Sequence, residues 1–292
     1  MTRAIVALLL VVLLHPAPLW AEPKGWRDLY LRAQQLAEER RYLEAATIGE
    51  RALVVAQRQA GAHPTHLGLS VDLLGVVYTA HGRAVDAERM FRRGVTVWEQ
   101  VAGAGAPSVI ASRRRLALFL QRQGRLDEAE PLLKQLVSIR QVEGGSHDPE
   151  LAQTLTDLAE CYIAQGKLPD AVPLLERAVV IRGWHRQAAP LDYAEALTLL
   201  AALSFDQGQH TKAIALSEEA LLIDESALGA DHPDVATQMS NLAVLYFTAG
   251  DYEAAEVFYR RAIPALEAAL GSSHPDVLEK RQEYALLQQR RQ

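Results

Sequence analysis

The side chains best able to do chemistry in this chain are nine histidines, one cysteine and a few clustered charges. A metal needs His, Cys or carboxylate ligands at spacings that converge, such as His-Glu-x-x-His on a helix or paired Cys-x-x-Cys. Neither spacing occurs. His63, His232 and His274 each stand directly before a proline, and His147 stands one residue further back, before Asp148-Pro149. Recurrence at that place assigns them to turns and helix starts, not to a metal. Cys161 is the only thiol, so an intrachain disulfide is impossible. A reactive thiol is one reading of it and a buried packing residue the other. The second is favoured because Val77, Phe119, Leu203 and Leu245, at the equivalent places of the repeat described below, are apolar. No nucleophile elbow, Walker-type loop or Gly-x-Gly-x-x-Gly turn is present. Asp157 and Glu160 fall one helical turn apart, but no second catalytic partner accompanies them. Arg113, Arg114 and Arg115 are consecutive, with Arg122 two turns on. Guanidinium groups hold carboxylates through paired hydrogen bonds. The chemistry on offer is binding: no enzyme activity, cofactor or metal is expected.

Those residues must be positioned by something, and the chain says what. Val235, Met239, Leu242, Ala243 and Tyr246 recur at three- and four-residue steps before Gly250, and Ala255, Val257, Phe258 and Ala262 form a second apolar face after it. This is a helix, a tight glycine turn and a helix. Gly82, Gly124, Gly166, Gly208 and Gly250 are 42 residues apart throughout. Aligned on them, Leu74, Leu116, Leu158, Leu200 and Leu242 share one place, followed by Gly75, Ala117, Ala159, Ala201 and Ala243. Ala87, Ala129, Ala171, Ala213 and Ala255 stand five residues beyond each glycine. Small residues at both places let paired helices lie close. A less regular copy upstream keeps Leu29, Ala33, Leu36, Ala45 and Ala52 but has Arg40 in the glycine place. A hairpin of this size cannot bury its apolar faces alone and must stack on its neighbours.

The last full unit, with Leu242, Ala243, Tyr246, Gly250, Ala255, Tyr259 and Ala262, followed by Leu270-Gly271 and His274-Pro275, resembles a tetratricopeptide repeat of the 42-residue kinesin-light-chain type. The resemblance covers roughly residues 26 to 290. It implies an all-α, right-handed superhelical solenoid of stacked antiparallel helix pairs: about six repeats (about 26–62, 63–105, 106–147, 148–188, 189–231 and 232–273) and a C-terminal capping helix within 274–292. The whole of residues 22–292 forms one such array in this reading. The family binds proteins and peptides, its first helices lining the concave surface. Carried over by register, that surface holds Arg114, Arg115, Arg122, Asp157, Glu160, Phe205, Asn241 and Phe247. Asn241 matches the asparagine that such repeats present to a peptide backbone, while Leu73, Arg115, Asp157 and Leu199 depart from it. Phe205 and Phe247 are aromatic at one groove position in adjacent repeats.

Three local features carry further expectations. Pro131 and Pro173 share a place near a helix start, where a lost N–H costs little, and Pro264 lies deep enough to bend its helix. The fourth-to-fifth junction, Gly183-Trp-His-Arg-Gln-Ala-Ala-Pro190, is one residue short of the others. Trp184 there either serves as a contact point or packs beneath its own loop.

Residues 1–21 read as a secretory signal peptide: Arg3, an uninterrupted apolar run from Ala4 to Leu14, Pro16 and Pro18, and Ala21 ahead of a cut before Glu22. A run of 11 residues is too short to span a hydrocarbon core of ~30 Å, which takes about 20. The mature chain is then secreted or periplasmic with no transmembrane segment. A formal charge of −6 argues against nucleic acid as partner. The function expected is a non-enzymatic scaffold or adaptor that binds a protein or peptide, an acidic or C-terminal segment, in the concave groove. A self-assembling structural component of the cell envelope and a regulatory accessory chain of an enzyme are the alternatives. The oligomeric state stays open.

Overall fold

The computed structural model describes residues 25–290. Among them the chain is wholly helical, and no helix there is long and apolar enough to cross a membrane. The signal-peptide assignment to residues 1–21 lies outside the described residues. The chain divides into two compact units, residues 1–132 and 133–292, with the boundary inside one helix. The first unit contains α1 (Trp26–Glu38), α2 (Tyr42–Arg58), α3 (Pro64–Ala80), α4 (Ala84–Ala102), α5 (Pro107–Arg122) and the start of α6 (Leu126–Glu143). The second contains the rest of α6, α7 (Pro149–Ala164), α8 (Leu168–Trp184), α9 (Pro190–Asp206), α10 (His210–Leu228), α11 (Pro233–Ala249), α12 (Tyr252–Leu270) and α13 (Pro275–Arg290).

Each hairpin bend is made by the same device. Gly250 is left-handed (φ 85°, ψ 4°), and the N–H of Asp251 reaches back to the carbonyl of Tyr246 at 2.9 Å. That back-bond satisfies a carbonyl the helix end would leave bare. Arg83 to Tyr78, Arg125 to Leu120, Lys167 to Tyr162 and Gln209 to Ser204 repeat it at 2.8, 3.0, 2.8 and 2.9 Å. The first hairpin also keeps it, from Arg41 to Leu36 at 2.8 Å, although its left-handed residue is Arg40 at φ 60°. The 42-residue glycine spacing is therefore the spacing of helix stops.

Proline opens α3, α5, α7, α9, α11 and α13 at the first turn, where no N–H partner is lost. Two of the four repeat-boundary histidines cap: His232 Nδ1 accepts from the N–H of Asp234 at 3.2 Å, and His274 Nδ1 from Asp276 at 3.3 Å. Before α7 the cap is Asp148, whose carboxylate accepts from Glu150 N–H at 3.1 Å. α13 begins at Pro275 under the His274 cap, within the span expected for the closing helix. Pro131 and Pro173 are each the sixth residue of their helix, beyond the free N–H groups of the first turn, so each removes one backbone bond. α12 runs unbroken past Pro264.

Within the first unit, α1 packs on α2 and α3, and α2, α3, α4 and α5 pack in succession. Within the second, α7 through α13 pack each on the next. The small places are the close approaches: Ala87, Ala117, Ala159, Ala213, Ala243 and Ala255 have no exposed surface, and Ala201 has 2%. Gly75 is tighter still, since a methyl there would stand 2.6 Å from the Phe91 ring. Leu74 and Leu242 beside them are fully buried, each contributing roughly 1.5–3 kcal/mol relative to exposure. Cys161 is buried, as its apolar register-mates predict.

Candidate protein-binding faces

In the first unit the arginine run lies along α5, and its members do different things. Arg113 donates from Nη2 to Glu99 at 2.7 Å. Arg115 donates from Nη1 to Asp72 Oδ2 at 2.9 Å. Asp72 is itself buried on α3 and accepts two further bonds, from Trp98 Nε1 at 2.9 Å and Ser112 Oγ at 3.4 Å. Burial pushes the Asp72 carboxyl above its ordinary range, against the opposing pull of Arg115 and its hydrogen bonds. Gly94 makes room for this node, since a methyl there would meet Asp72 Oδ1 and Ser112 Oγ at 2.9 Å. Arg114 is half-buried, and Arg122, the last residue of α5, is exposed. Of the basic groups predicted to face a ligand, Arg115 is thus already engaged with a carboxylate of its own unit.

In the second unit the face of α7 divides. Asp157 is 3% exposed and accepts from Gln153 Nε2 at 3.1 Å, whereas Glu160 is exposed. Gln153 Oε1 in turn accepts from Arg182 Nη2 at 2.7 Å. Arg182, on α8, also donates to the Asp192 carbonyl at 2.8 Å and pairs with Glu195 at 3.3 Å. This buried guanidinium ties α7, α8 and α9 together. The sequence offered no signal for it, since register places Trp98, Arg140, Asp224 and Leu266 at the same place and so marks no fixed polarity there.

Further along, α9 and α11 present matching faces. Ala202 and Asn241 are exposed, and Leu199, Phe205, Val244 and Phe247 are half-buried. The two phenyl rings sit over different cores. Phe205 packs on the cluster of Leu242 and Leu245, with its ring 5.2 Å from that of His210. Phe247 packs on the cluster of Ala243, Ala255 and Tyr259, with its ring 5.5 Å from that of Tyr252. Phe247 therefore closes its own hairpin, Phe205 reaches from α9 to the core of the next, and both stay half-buried. The Gln238 amide donates to the Thr198 hydroxyl, which holds α11 against α9 beside this surface. Tyr246 donates to Glu218 and ties α11 to α10. Burial and that carboxylate push its hydroxyl up to about 12.

Trp184 resolves the two readings of its junction in favour of the open one: it is 70% exposed, at the last residue of α8. Its ring meets that of His147, edge to face at 5.0 Å.

The comparisons agree with this architecture. Kinesin-light-chain repeats from Podosopora anserina, described as nearly identical TPR-like repeats, appear in two crystal structures. They are 26% and 25% identical to this chain, cover 71% and 69% of it and 97% and 96% of their own lengths, and superpose with TM-scores of 0.62 and 0.60. BtubC from P. vanneervenii shares the fold at 20% identity, covering 87% of this chain and 95% of its own, with a TM-score of 0.65. No curated protein matches this sequence. Models of the tetratricopeptide repeat match residues 70–107, 108–182, 156–227 and 192–268. Arrays of that repeat are protein–protein interaction scaffolds, typically without catalysis of their own. With hairpins of this register and repeat models matching more than half its length, the chain belongs to the tetratricopeptide repeat family.

Proposed function

We propose that this chain is an exported, non-enzymatic adaptor that binds an extended segment of another protein along its first-helix faces. The observation that carries the reading is the paired surface of α9 and α11, where Ala202 and Asn241 are open and Leu199, Phe205, Val244 and Phe247 are partly open at equivalent places of adjacent repeats. Apolar side chains of an extended segment would rest against Phe205 and Phe247. The Asn241 amide, both donor and acceptor, would hold its backbone between them. Glu160 supplies a charged border on α7 of the same unit. In the first unit, Arg122 is the exposed cation suited to a carboxylate, and Arg115 is held back by Asp72. Export rests on the N-terminal apolar run and the small residue at Ala21.

The test is selection of a random peptide library on the mature protein. Peptides that bind this surface should lose at least tenfold in affinity against Val244→Arg and against Asn241→Ala, with circular dichroism unchanged. Selected peptides that bind both variants as well as the parent would remove the α9–α11 face from the proposal.

A further inference from the structure

The junction between α8 and α9 repeats the turn between α2 and α3, with His185 and Gln59 closing the preceding helix at φ −104° and −101°, and differs from the junctions after α4, α6, α10 and α12. Gly103, Gly145, Gly229 and Gly271 follow α4, α6, α10 and α12 at one register, all with positive φ between 77° and 89°, and Gln187 stands in that place here. Without the left-handed stop, α8 ends at Trp184, earlier in register than α4, α10 and α12, and His185 closes it at φ −104°. Acids stand at the flanking junctions, Asp148 and Asp231, but none occurs between Gly183 and Pro190.

Beside this turn lies an open cavity of about 640 Å³, with Val180, Trp184, His185, Arg186 and Gln187 among its walls. Val180 and Trp184, one turn apart on α8, are 61% and 70% exposed. Val142 on α6, at the same register as Trp184, is 86% exposed. Large apolar side chains exposed in one cluster mark contact surfaces more often than isolated ones do. His185 Nε2 lies 2.8 Å from the His147 carbonyl, so the loops on either side of α7 and α8 are pinned and the indole stands on a fixed base. Arg186 is exposed, and no carboxylate among the described residues forms an ion pair with it. The cavity wall includes no acidic residue. By contrast, Glu160 and Asp206 stand exposed on the first helices α7 and α9.

We infer that this junction is a second docking surface, for an acidic peptide segment carrying a bulky apolar side chain. The apolar group lies on the indole of Trp184 and on Val180, and a carboxylate pairs with the Arg186 guanidinium, whose planar fork matches it. Charge complementarity selects this occupant: an unpaired cation beside exposed apolar surface, in a wall free of acids, favours an anionic amphipathic segment over a cationic one. The surface is separate from the α9–α11 face and does not depend on it.

Three fluorescein-labelled decapeptide pools decide the matter, with Glu, Gln or Lys at alternate positions and Leu, Phe or Trp between them. Anisotropy on the full chain should show the Glu pool binding at least tenfold more tightly than the Lys pool. Trp184→Ala and Arg186→Glu should each abolish that preference, and Val244→Arg should leave it intact. Both altered side chains are exposed, so circular dichroism should match the parent. Equal binding of the Glu and Lys pools, or Glu-pool binding indifferent to Trp184→Ala and Arg186→Glu, would overturn the inference. So would concentration-dependent light scattering that Trp184→Ala removes, because a second copy of the chain would then be the occupant. If the α9–α11 reading alone is wrong, library-selected peptides ignore Val244→Arg while the Glu pool still requires Trp184.

Discussion

Asp72 shows how one residue's environment decides its use. In register it belongs to the ligand-facing face of a first helix, but burial and three donors turn it into the fastening of α3, α4 and α5. Because its folded pKa is raised above the ordinary 3.8, its contribution to stability is fully present below that value and is lost as pH rises through the folded pKa. Asp72→Asn cannot ionise and keeps an oxygen for Trp98. Thermal melts from pH 3 to pH 8 should show the variant gaining on the parent as pH rises, and parallel curves would deny the shift. Arg115→Glu, which would serve as a simple test of ligand capture if the arginine were open, instead places a second carboxylate beside Asp72. It should lower the urea midpoint as well as any affinity. Arg40 gives an opposite case. An L-residue in the left-handed region costs roughly 1–2 kcal/mol, partly offset by the extra freedom glycine has when unfolded. Arg40→Gly should therefore stabilise by ~0.5–1 kcal/mol in urea titrations.

At the scale of the helix pair, the close approaches set the tolerances. Gly68 lies in α3 under the Trp98 ring, where a methyl would sit 2.5 Å from Cε2. Alanine is the better helix former by ~1 kcal/mol, so propensity alone predicts a gain from Gly68→Ala. The indole cannot swing aside without leaving Asp72, so overpacking at ~1–3 kcal/mol should win. A drop in melting temperature is the expected reading. Ala201→Leu and Ala243→Leu should each lose a similar ~1–3 kcal/mol, since both methyls are buried between paired helices. Unchanged melting would mean that the pairs are not in this register. Much of this scale was readable in advance. The 42-residue glycine series marks helix ends because only a left-handed residue can make the back-bond, and the alanine series marks contact because nothing larger fits.

For the molecule as a whole, the fold and the general kind of function follow from repetition, since identical hairpins bury their faces only against one another. Export is open to direct measurement. Intact mass spectrometry of secreted protein should give a chain starting at Glu22, with formal charge −7 once Arg3 is removed from the 30 basic and 36 acidic residues. A retained Met1 would retire that part of the proposal. What the sequence alone determined was periodic: helix, bend, small contact and apolar spine recur, and recurrence is visible without coordinates. What only the tertiary structure decided was the fate of the residues that break the period. Arg115 and Arg122 look alike in the chain, yet one meets a buried carboxylate from another helix and the other meets water. Trp184 had two readings, a contact point or a residue packed beneath its own loop, until the tertiary structure placed it outside. The physical reason is that a side chain's charge state and exposure depend on neighbours some 40 residues away in the chain, as Asp72 and Arg115 are, and spacing along one strand of sequence does not record which of two polar groups at a register finds the other.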